Sequence, residues 1–311
     1  MKPYQEISFF EFQERFQTDD ACFEYLKQLR WPDGFLCPKC GHTEAYFMTT
    51  RKVFQCVKCR QQPSVTAGTI FHRTHTPLRK WFWAIYLVGS DKRGYSAKRL
   101  EKMIGVHYAT AWLIIHKIRK AMRDRDASYR LFDVIEMDDS YFGGASSGKR
   151  GRGAANKSTG IVAVENRGTA PRCAAMEVVE SMESKHLKDF VFRHIDDEHT
   201  IKTDRYSSYT TLDVMFNHLG EIVKPQDAMR KLPWVHILIG NVKSFIRGTY
   251  HGVSHKHLQP YLNEFCYRFN RRFNKFLMTD RLLTRIIHKL LLYIKNALYS
   301  IELPHPLIPS P

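Results

Sequence analysis

The stretch Val134–Gly144 reads VIEMDDSYFGG, and the rest of the chain is organised around it. Its apolar residues predict a buried strand that acidic residues interrupt and the two glycines end. Asp138 and Asp139 would then lie where the strand meets solvent, a usual position for carboxylates that bind a metal ion. A pair of surface acids before a turn is an equally good interpretation of this stretch alone.

A second segment repeats the pattern, because the predicted strand His199–Thr203 leads directly into Asp204. Two aspartates at strand ends of one sheet are suited to Mg²⁺, which prefers oxygen ligands. A pair of such ions about 3.5–4 Å apart can activate a water or a 3′-hydroxyl and stabilise the leaving oxygen of a phosphodiester. A third ligand is normally needed, and Asn241 on the predicted helix Val235–Phe245 is placed to supply it.

The charge of the chain indicates a polyanionic partner. Lys and Arg outnumber Asp and Glu by 48 to 31 among 311 residues, giving a net charge of +17. Nucleic acid is the expected partner, although an anionic membrane surface could use the same charge. No stretch approaches the roughly 20 apolar residues that span a bilayer. Met1–Phe10 does not resemble a secretory signal, so we expect a cytoplasmic protein.

Four of the seven cysteines form two CxxC pairs separated by fifteen residues. The pairs are CPKC and CVKC, and a predicted hairpin lies between them. This spacing predicts a structural zinc ribbon in which four thiolates bind one Zn²⁺ ion, in preference to a redox dithiol. Nearby basic residues indicate nucleic acid, while a folding role alone is the alternative. The predicted zinc ligands are Cys37, Cys40, Cys56 and Cys59.

Ser96–Ala121 predicts a helix-turn-helix in which Gly105 provides the turn. Its second helix, Tyr108–Met122, carries Lys117 and Arg119 as candidate DNA contacts. A helical hairpin that only packs would give the same pattern. The loop Ala145–Ser158 is rich in Gly, Ser and basic residues and could follow a phosphate backbone or remain a bare loop. Its candidate DNA contacts are Lys149, Arg150 and Arg152.

The remaining elements predict further strands and helices. Gly160–Val164 and Cys173–Val179 should continue the first strand as an antiparallel meander. Helices are expected over Ser184–Ile195 and His255–Phe273. A last helix beginning at Asp280 has an apolar stripe that would pack on its own core or on a second copy.

In order, these motifs resemble the bacterial insertion-sequence transposases of the DDE superfamily, the family with an N-terminal zinc ribbon and an ISXO-like catalytic domain. The resemblance covers about Ile7 to Arg272. Besides the two CxxC pairs, it rests on SVTAGTIFH at Ser64–His72, EMDDSYFGG at Glu136–Gly144, KTDRYSSY at Lys202–Tyr209 and the long block His236–Arg272.

The resemblance implies a multidomain α+β protein with a ribonuclease H-like catalytic domain, a mixed α/β sheet flanked by helices. The expected parts are N-terminal helices and the zinc ribbon (1–72), a helix-turn-helix-like DNA-binding region (73–128), the catalytic domain (129–275), and a C-terminal helix and tail (276–311). Such a protein would be cytoplasmic and nucleoid-associated.

The resemblance also implies a reaction and its residues. The enzyme would bind double-stranded DNA at the terminal inverted repeats and use Mg²⁺ or Mn²⁺ for nicking and strand transfer, acting as a homodimer or higher homo-oligomer. Asp138 and Asp204 match the first two catalytic acids, and Asn241 stands where many relatives have Glu. Glu264 is the alternative third ligand, whereas His236 is read as structural or as a DNA contact.

Two points stay open at this stage. Either Lys243 or Arg247 would face the scissile phosphate, since both follow Asn241 on the same helix. A neutral asparagine at the third position is also compatible with a zinc-ribbon and helix-turn-helix DNA-binding protein derived from a transposase and impaired in catalysis. A metal-dependent nuclease that cleaves without joining is the remaining alternative.

Overall fold

The computed structural model describes residues 8–143, 157–196, 199–204, 206–222 and 227–273. Two compact units emerge from it. The N-terminal unit contains the described parts of Met1–Ser90 together with Glu101–Ala121. The sheet unit contains Asp91–Leu100 and the described parts of Met122–Lys275.

Three helices and a two-stranded hairpin form most of the N-terminal unit. The helices are α1 (Phe9–Arg15), α2 (Asp19–Arg30) and α3 (Leu78–Ser90), and the antiparallel strands are β1 (Ala45–Met48) and β2 (Val53–Cys56). Ser8 and Thr18 cap α1 and α2 by accepting backbone N–H bonds, as their side chains favour. Trp81 and Phe82 on α3 are buried and belong to the core of this unit.

The predicted helical hairpin is present as α4 (Ala97–Ile104) and α5 (Tyr108–Asp126). Gly105 makes the turn with a φ of +59°, a conformation that glycine adopts without a steric penalty. Its carbonyl oxygen accepts a 2.6 Å bond from Nζ of Lys80. The second helix runs four residues beyond its predicted end.

Five strands form the sheet of the second unit: β3 (Val134–Phe142), β4 (Ser158–Asn166), β5 (Pro171–Val179), β6 (Thr200–Thr203) and β7 (Asn217–Gly220). Their spatial order is β5-β4-β3-β6-β7. The first three are antiparallel, and β6 and β7 run parallel to β3. This confirms both the predicted meander and the mixed sheet of a ribonuclease H-like domain. The sequence did not predict β7, because NHLG carries a single apolar side chain.

Helices cover both faces of the sheet. Helix α6 (Ser184–His194) packs on the face that Ile135 and Met137 share. The short α7 (Ala228–Lys231) precedes α8 (Pro233–Tyr250) and α9 (Leu258–Asn270), and the last two pack with Phe142 on the other face. The alternation of the strand therefore assigns neighbouring residues of β3 to different faces.

Helix α8 is longer than predicted. The sequence predicts a helix that ends at Phe245, but the helix continues to Tyr250. It ends only where His251 adopts a left-handed conformation with a φ of 57°. Helical hydrogen bonding therefore passes through Gly248, which costs stability without breaking a helix.

Some predictions fall outside the described residues. These are the last helix beginning at Asp280 and the loop contacts Lys149, Arg150 and Arg152. No helix in the described ranges combines the length and the apolar character needed to cross a membrane.

Candidate functional site

The register of β3 and β6 brings the two predicted acids to the same level of the sheet. Glu136 on β3 pairs with Lys202 on β6 in parallel orientation. Continuing this register by two residues sets Asp138 beside Asp204, which directly follows β6. Neighbouring strands are about 4.8 Å apart. The two carboxylates therefore project from adjacent positions on adjacent strands.

Asp138 does not end its strand as the sequence predicted. It pairs with Val162 of β4, and this pairing continues to Phe142. What ends near Asp138 is the parallel pairing with β6, since its last pair is Glu136 with Lys202. Asp138 thus lies where β6 no longer pairs with the edge of β3. Asp139 follows on the opposite face of the strand.

The oxygens of Asp138 have different surroundings. Oδ1 accepts a 2.8 Å bond from the backbone N–H of Asp139. Oδ2 lies 3.6 Å from Nδ1 of His236, and the Asp138 side chain is 15% exposed. A separation of 3.6 Å is too long for a hydrogen bond. In Asp204, Oδ1 accepts from the backbone N–H of Tyr206 at 3.2 Å.

One side of α8 carries His236 and Lys243 toward Asp138. Seven residues separate the two along the chain, so their directions around the helix axis differ by only about 20°. Asn241 lies about 140° around the axis from His236, and its side chain is exposed. The structure therefore brings His236 and not Asn241 to the acids. The seven-residue spacing places His236 and Lys243 on one side of the helix, but the sequence alone does not show which side faces the sheet.

Burial and charge act together on these two side chains. Burial lowers the pKa of the His236 imidazole, and the nearby Asp204 carboxylate acts in the opposite direction. The neutral imidazole is the form that binds metal ions. Burial also lowers the pKa of Lys243, an effect that Lys157 reinforces and Asp138 opposes. Positive charge is thus concentrated next to the acid pair.

Lys243 is the better placed of the two predicted phosphate contacts. Its side chain is partly buried, and its Nζ lies 5.9 Å from the ring centroid of Phe142 on β3. Arg247 lies one turn further along α8 and is exposed. The same side of the helix carries both residues, so the second could follow DNA beyond the acids.

Glu136 is a buried carboxylate next to this site that the sequence analysis assigned no role. It is fully buried, and its Oε2 accepts backbone N–H bonds from Trp234 at 2.8 Å and Val235 at 3.0 Å. Oε1 accepts a 2.7 Å bond from Nδ2 of Asn166. Burial raises the pKa of Glu136, although these three bonds act in the opposite direction.

A hydrogen-bonded chain supports the strand that carries the second acid. Oγ1 of Thr203 lies 2.8 Å from Nε2 of His218, and the other ring nitrogen lies 2.5 Å from Oδ1 of Asp213. The His218 side chain is fully buried. Thr203 immediately precedes Asp204, so this chain fixes the end of β6 against β7.

The separation of Asp138 and His236 is compatible with a shared divalent ion. Adjacent ligands of an octahedral ion with bonds of about 2.1 Å are about 3 Å apart, close to the 3.6 Å between Asp138 and His236. An ion at this position would therefore draw them together.

The four predicted zinc ligands form a compact set in the N-terminal unit. Their donor atoms all lie within 4.8 Å of one another. The Sγ atoms of Cys37 and Cys59 are 3.5 Å apart, and those of Cys40 and Cys56 are 3.6 Å apart. A tetrahedral Zn²⁺ site with Zn–S bonds of about 2.3 Å has edges of about 3.8 Å. The cluster thus has the dimensions of a zinc site.

One candidate metal ligand and two candidate DNA contacts are more buried than the sequence analysis expected. Glu264 is fully buried and bonded to Arg268, so it is not available as the alternative third ligand. Arg119 is 2% exposed, and its Nη1 lies 3.4 Å from Nε2 of His116. This burial does not favour the predicted DNA contact of Arg119. Lys117 is partly buried, with its Nζ 5.6 Å from the ring centroid of Trp81.

Comparisons with known protein families give matches to both the sheet unit and the zinc ribbon. Residues 130–270 match the ISXO2-like transposase domain family, and residues 17–62 match the transposase zinc-ribbon domain family. A protein in the transposable element ISH50 of Halobacterium salinarum is 27% identical over 277 residues, which is 81% of this chain and 91% of the relative.

Solved structures of Mos1 transposase are also similar. A pre-cleavage Mos1 transpososome matches at 11% identity and a TM-score of 0.30, over 70% of this chain and 77% of that one. A Mos1 paired-end complex with the left transposon end matches at 13% identity and a TM-score of 0.31, over 71% and 78%.

Proposed function

Since the chain belongs to the transposase family whose zinc-ribbon and ISXO2-like domains it carries, we propose that it nicks DNA at the ends of its element and joins the freed 3′-hydroxyl to a target. The substrate would be double-stranded DNA with terminal inverted repeats, bound by a homodimer or higher homo-oligomer. The observation that supports this most directly is the alignment of Asp138 with Asp204 opposite the basic side of α8.

The two aspartates would hold Mg²⁺ or Mn²⁺ between the strand ends. A bound divalent ion activates a water or a 3′-hydroxyl and stabilises the leaving oxygen of a phosphodiester. The protein contributes geometry, since one carboxylate oxygen of Asp138 is fixed by the N–H of Asp139. Thr203 and His218 hold the second acid in register with the first.

We assign the third protein position to His236 in place of Asn241. His236 lies beside Asp138 and its imidazole is kept neutral by burial. Asn241 is exposed on another side of α8. Imidazole is a softer ligand than a carboxylate, so this assignment favours Mn²⁺ over Mg²⁺.

Lys243 would orient the scissile phosphate. Its ammonium group lies among Lys157, Arg247 and Asp138, where a phosphate bridging the metal and the basic side of α8 would be located. Partial burial strengthens its interaction with an anion, because screening by water is weaker there. Arg247 would bind the backbone further along the same strand of DNA.

The test uses the full chain and DNA that carries the element's ends. Wild-type protein with Mn²⁺ or Mg²⁺ should produce 3′-end nicks and strand-transfer products. Asp138→Ala should abolish both, whereas the matched variant Asp139→Ala, on the other face of the strand, should retain them. DNA binding without any metal-dependent cleavage would instead support the catalytically impaired DNA-binding protein, and cleavage without joining would support a nuclease.

A further inference from the structure

The helix that carries His236 and Lys243 begins without a cap of its own. Its N-cap residue, Leu232, has no side-chain oxygen, and the next residue is Pro233. The first N–H groups of a helix need acceptors, and leaving one buried without an acceptor costs about 1–3 kcal/mol. The first turn of α8 must therefore find its acceptor elsewhere in the fold.

Glu136 supplies that acceptor from the middle of β3. Its Oε2 binds the N–H groups of Trp234 and Val235, nearly a hundred residues away in sequence. The carboxylate is fully buried, and it meets the positive end of the helix dipole. Asn166, at the end of β4, holds the other oxygen. The first turn of α8 is thus hydrogen-bonded directly to one side chain of β3.

The geometry links this cap to the acid pair. Glu136 and Asp138 are two residues apart, so they project from the same face of β3. The helix residue that follows Val235 is His236, which faces Asp138. On one face of β3, Glu136 therefore binds the start of α8, and Asp138 is the next residue on that face and lies opposite His236 of the same helix.

We propose that Glu136 is a positioning residue for metal binding, which sets the height of His236 and Lys243 relative to Asp138 by capping α8 from the catalytic strand. This inference rests on the proposed function, because it concerns the same ion site. Glu136 itself touches neither substrate nor metal.

The primary variant is Glu136→Gln in the full chain. The glutamine amide has an oxygen that accepts and an NH2 group that only donates. Its two ends therefore cannot accept from both the helix and Asn166. Asn166 cannot simply rotate, since its Oδ1 already accepts from the N–H of Gly168 at 2.8 Å. We expect the Mn²⁺ affinity measured by electron paramagnetic resonance to fall about 10- to 100-fold, as for other supporting side chains of metal sites. Asp138→Ala defines the background of this measurement.

Glu165→Gln is the matched control. Glu165 is another fully buried glutamate of the same sheet, and it accepts bonds from Tyr129 Oη at 2.8 Å and from the N–H groups of Phe132 and Cys173 at 3.2 Å. It lies on the face of the sheet away from α8, since it pairs with Ile135. This variant should lower the melting temperature but leave Mn²⁺ affinity unchanged.

A compensating variant separates positioning from general destabilisation. In Glu136→Gln/Asn166→Asp the amide oxygen accepts from the helix and the amide N–H donates to the new carboxylate, so the hydrogen bonds are restored with donor and acceptor exchanged. We expect Mn²⁺ affinity to return to within about threefold of wild type. Asn166→Asp alone places two carboxylates against each other. Among the Glu136 and Asn166 variants, it should therefore bind Mn²⁺ most weakly.

The outcomes distinguish this inference from the proposed function. If wild-type protein shows no Mn²⁺ binding that depends on Asp138, the proposed function fails. If wild type binds but Glu136→Gln binds equally well, or if Glu165→Gln loses the same affinity, only the positioning role is overturned. Loss in Glu136→Gln that the double variant does not recover also counts against it.

Discussion

Glu264→Ala should destabilise the sheet unit strongly, because the substitution leaves a buried arginine without its partner. Oε1 of Glu264 accepts from Nε and Nη2 of Arg268 at 3.0 and 2.7 Å, and Oε2 accepts from Tyr250 Oη at 3.1 Å. The two charged side chains are 0% and 6% exposed. The bond from Nη1 of Arg268 to the carbonyl oxygen of Asp91 at 2.8 Å does not replace this carboxylate.

The expected cost follows from this burial. Removing one partner of a buried ion pair costs about 3–5 kcal/mol, since the remaining charge is desolvated without compensation. For a unit of this size each kcal/mol lowers the melting temperature by about 2–4 °C. The sheet unit should therefore melt about 6–20 °C lower, as followed by calorimetry or circular dichroism. The zinc ribbon should be unaffected.

The control removes both charges. Glu264→Ala/Arg268→Met should recover a large part of the lost stability, because no uncompensated charge remains. A melting temperature within about 2 °C of wild type for the single variant would refute this reasoning. Loss of Mn²⁺ binding at unchanged melting temperature would show instead that Glu264 is a metal ligand.

Three further predictions concern the ribbon, the third ligand and a glycine. Cys37→Ser, or chelation of zinc, should lower the zinc content and loosen the ribbon while the sheet unit keeps its melting temperature; unchanged zinc content and end binding would contradict this. His236→Ala should raise the Mn²⁺ concentration for half-maximal nicking about 10-fold or more, whereas Asn241→Ala should not; the reverse result would restore asparagine as the ligand. Gly94→Ala should lower the melting temperature, because Gly94 has a φ of +85° and the new Cβ would lie 2.3 Å from Tyr250 Oη; an unchanged value would contradict it.

Short sequence patterns predicted the parts of this protein whose structure depends on neighbouring residues in the chain. The spacing of the cysteines predicted the ribbon, and the strand-then-acid pattern located Asp138 and Asp204 because it describes one strand end at a time. The rotation of α8 was not predictable in this way. Choosing between His236 and Asn241 requires knowing which side of the helix packs on the sheet, and apolar residues occupy several sides of it. Glu136 was missed because its partners on α8, Trp234 and Val235, lie almost a hundred residues away.

The even-numbered residues of β3 explain why one short strand governs the site. Glu136 binds the first turn of α8, Asp138 faces His236, and Phe142 lies beside Lys243. A shift of one residue in the strand register would turn all three toward the opposite face. The antiparallel pairing with β4 over the whole of β3 opposes such a shift. The same strand therefore carries the first acid and fixes the helix that completes the site, so the relative position of the two is set within one element.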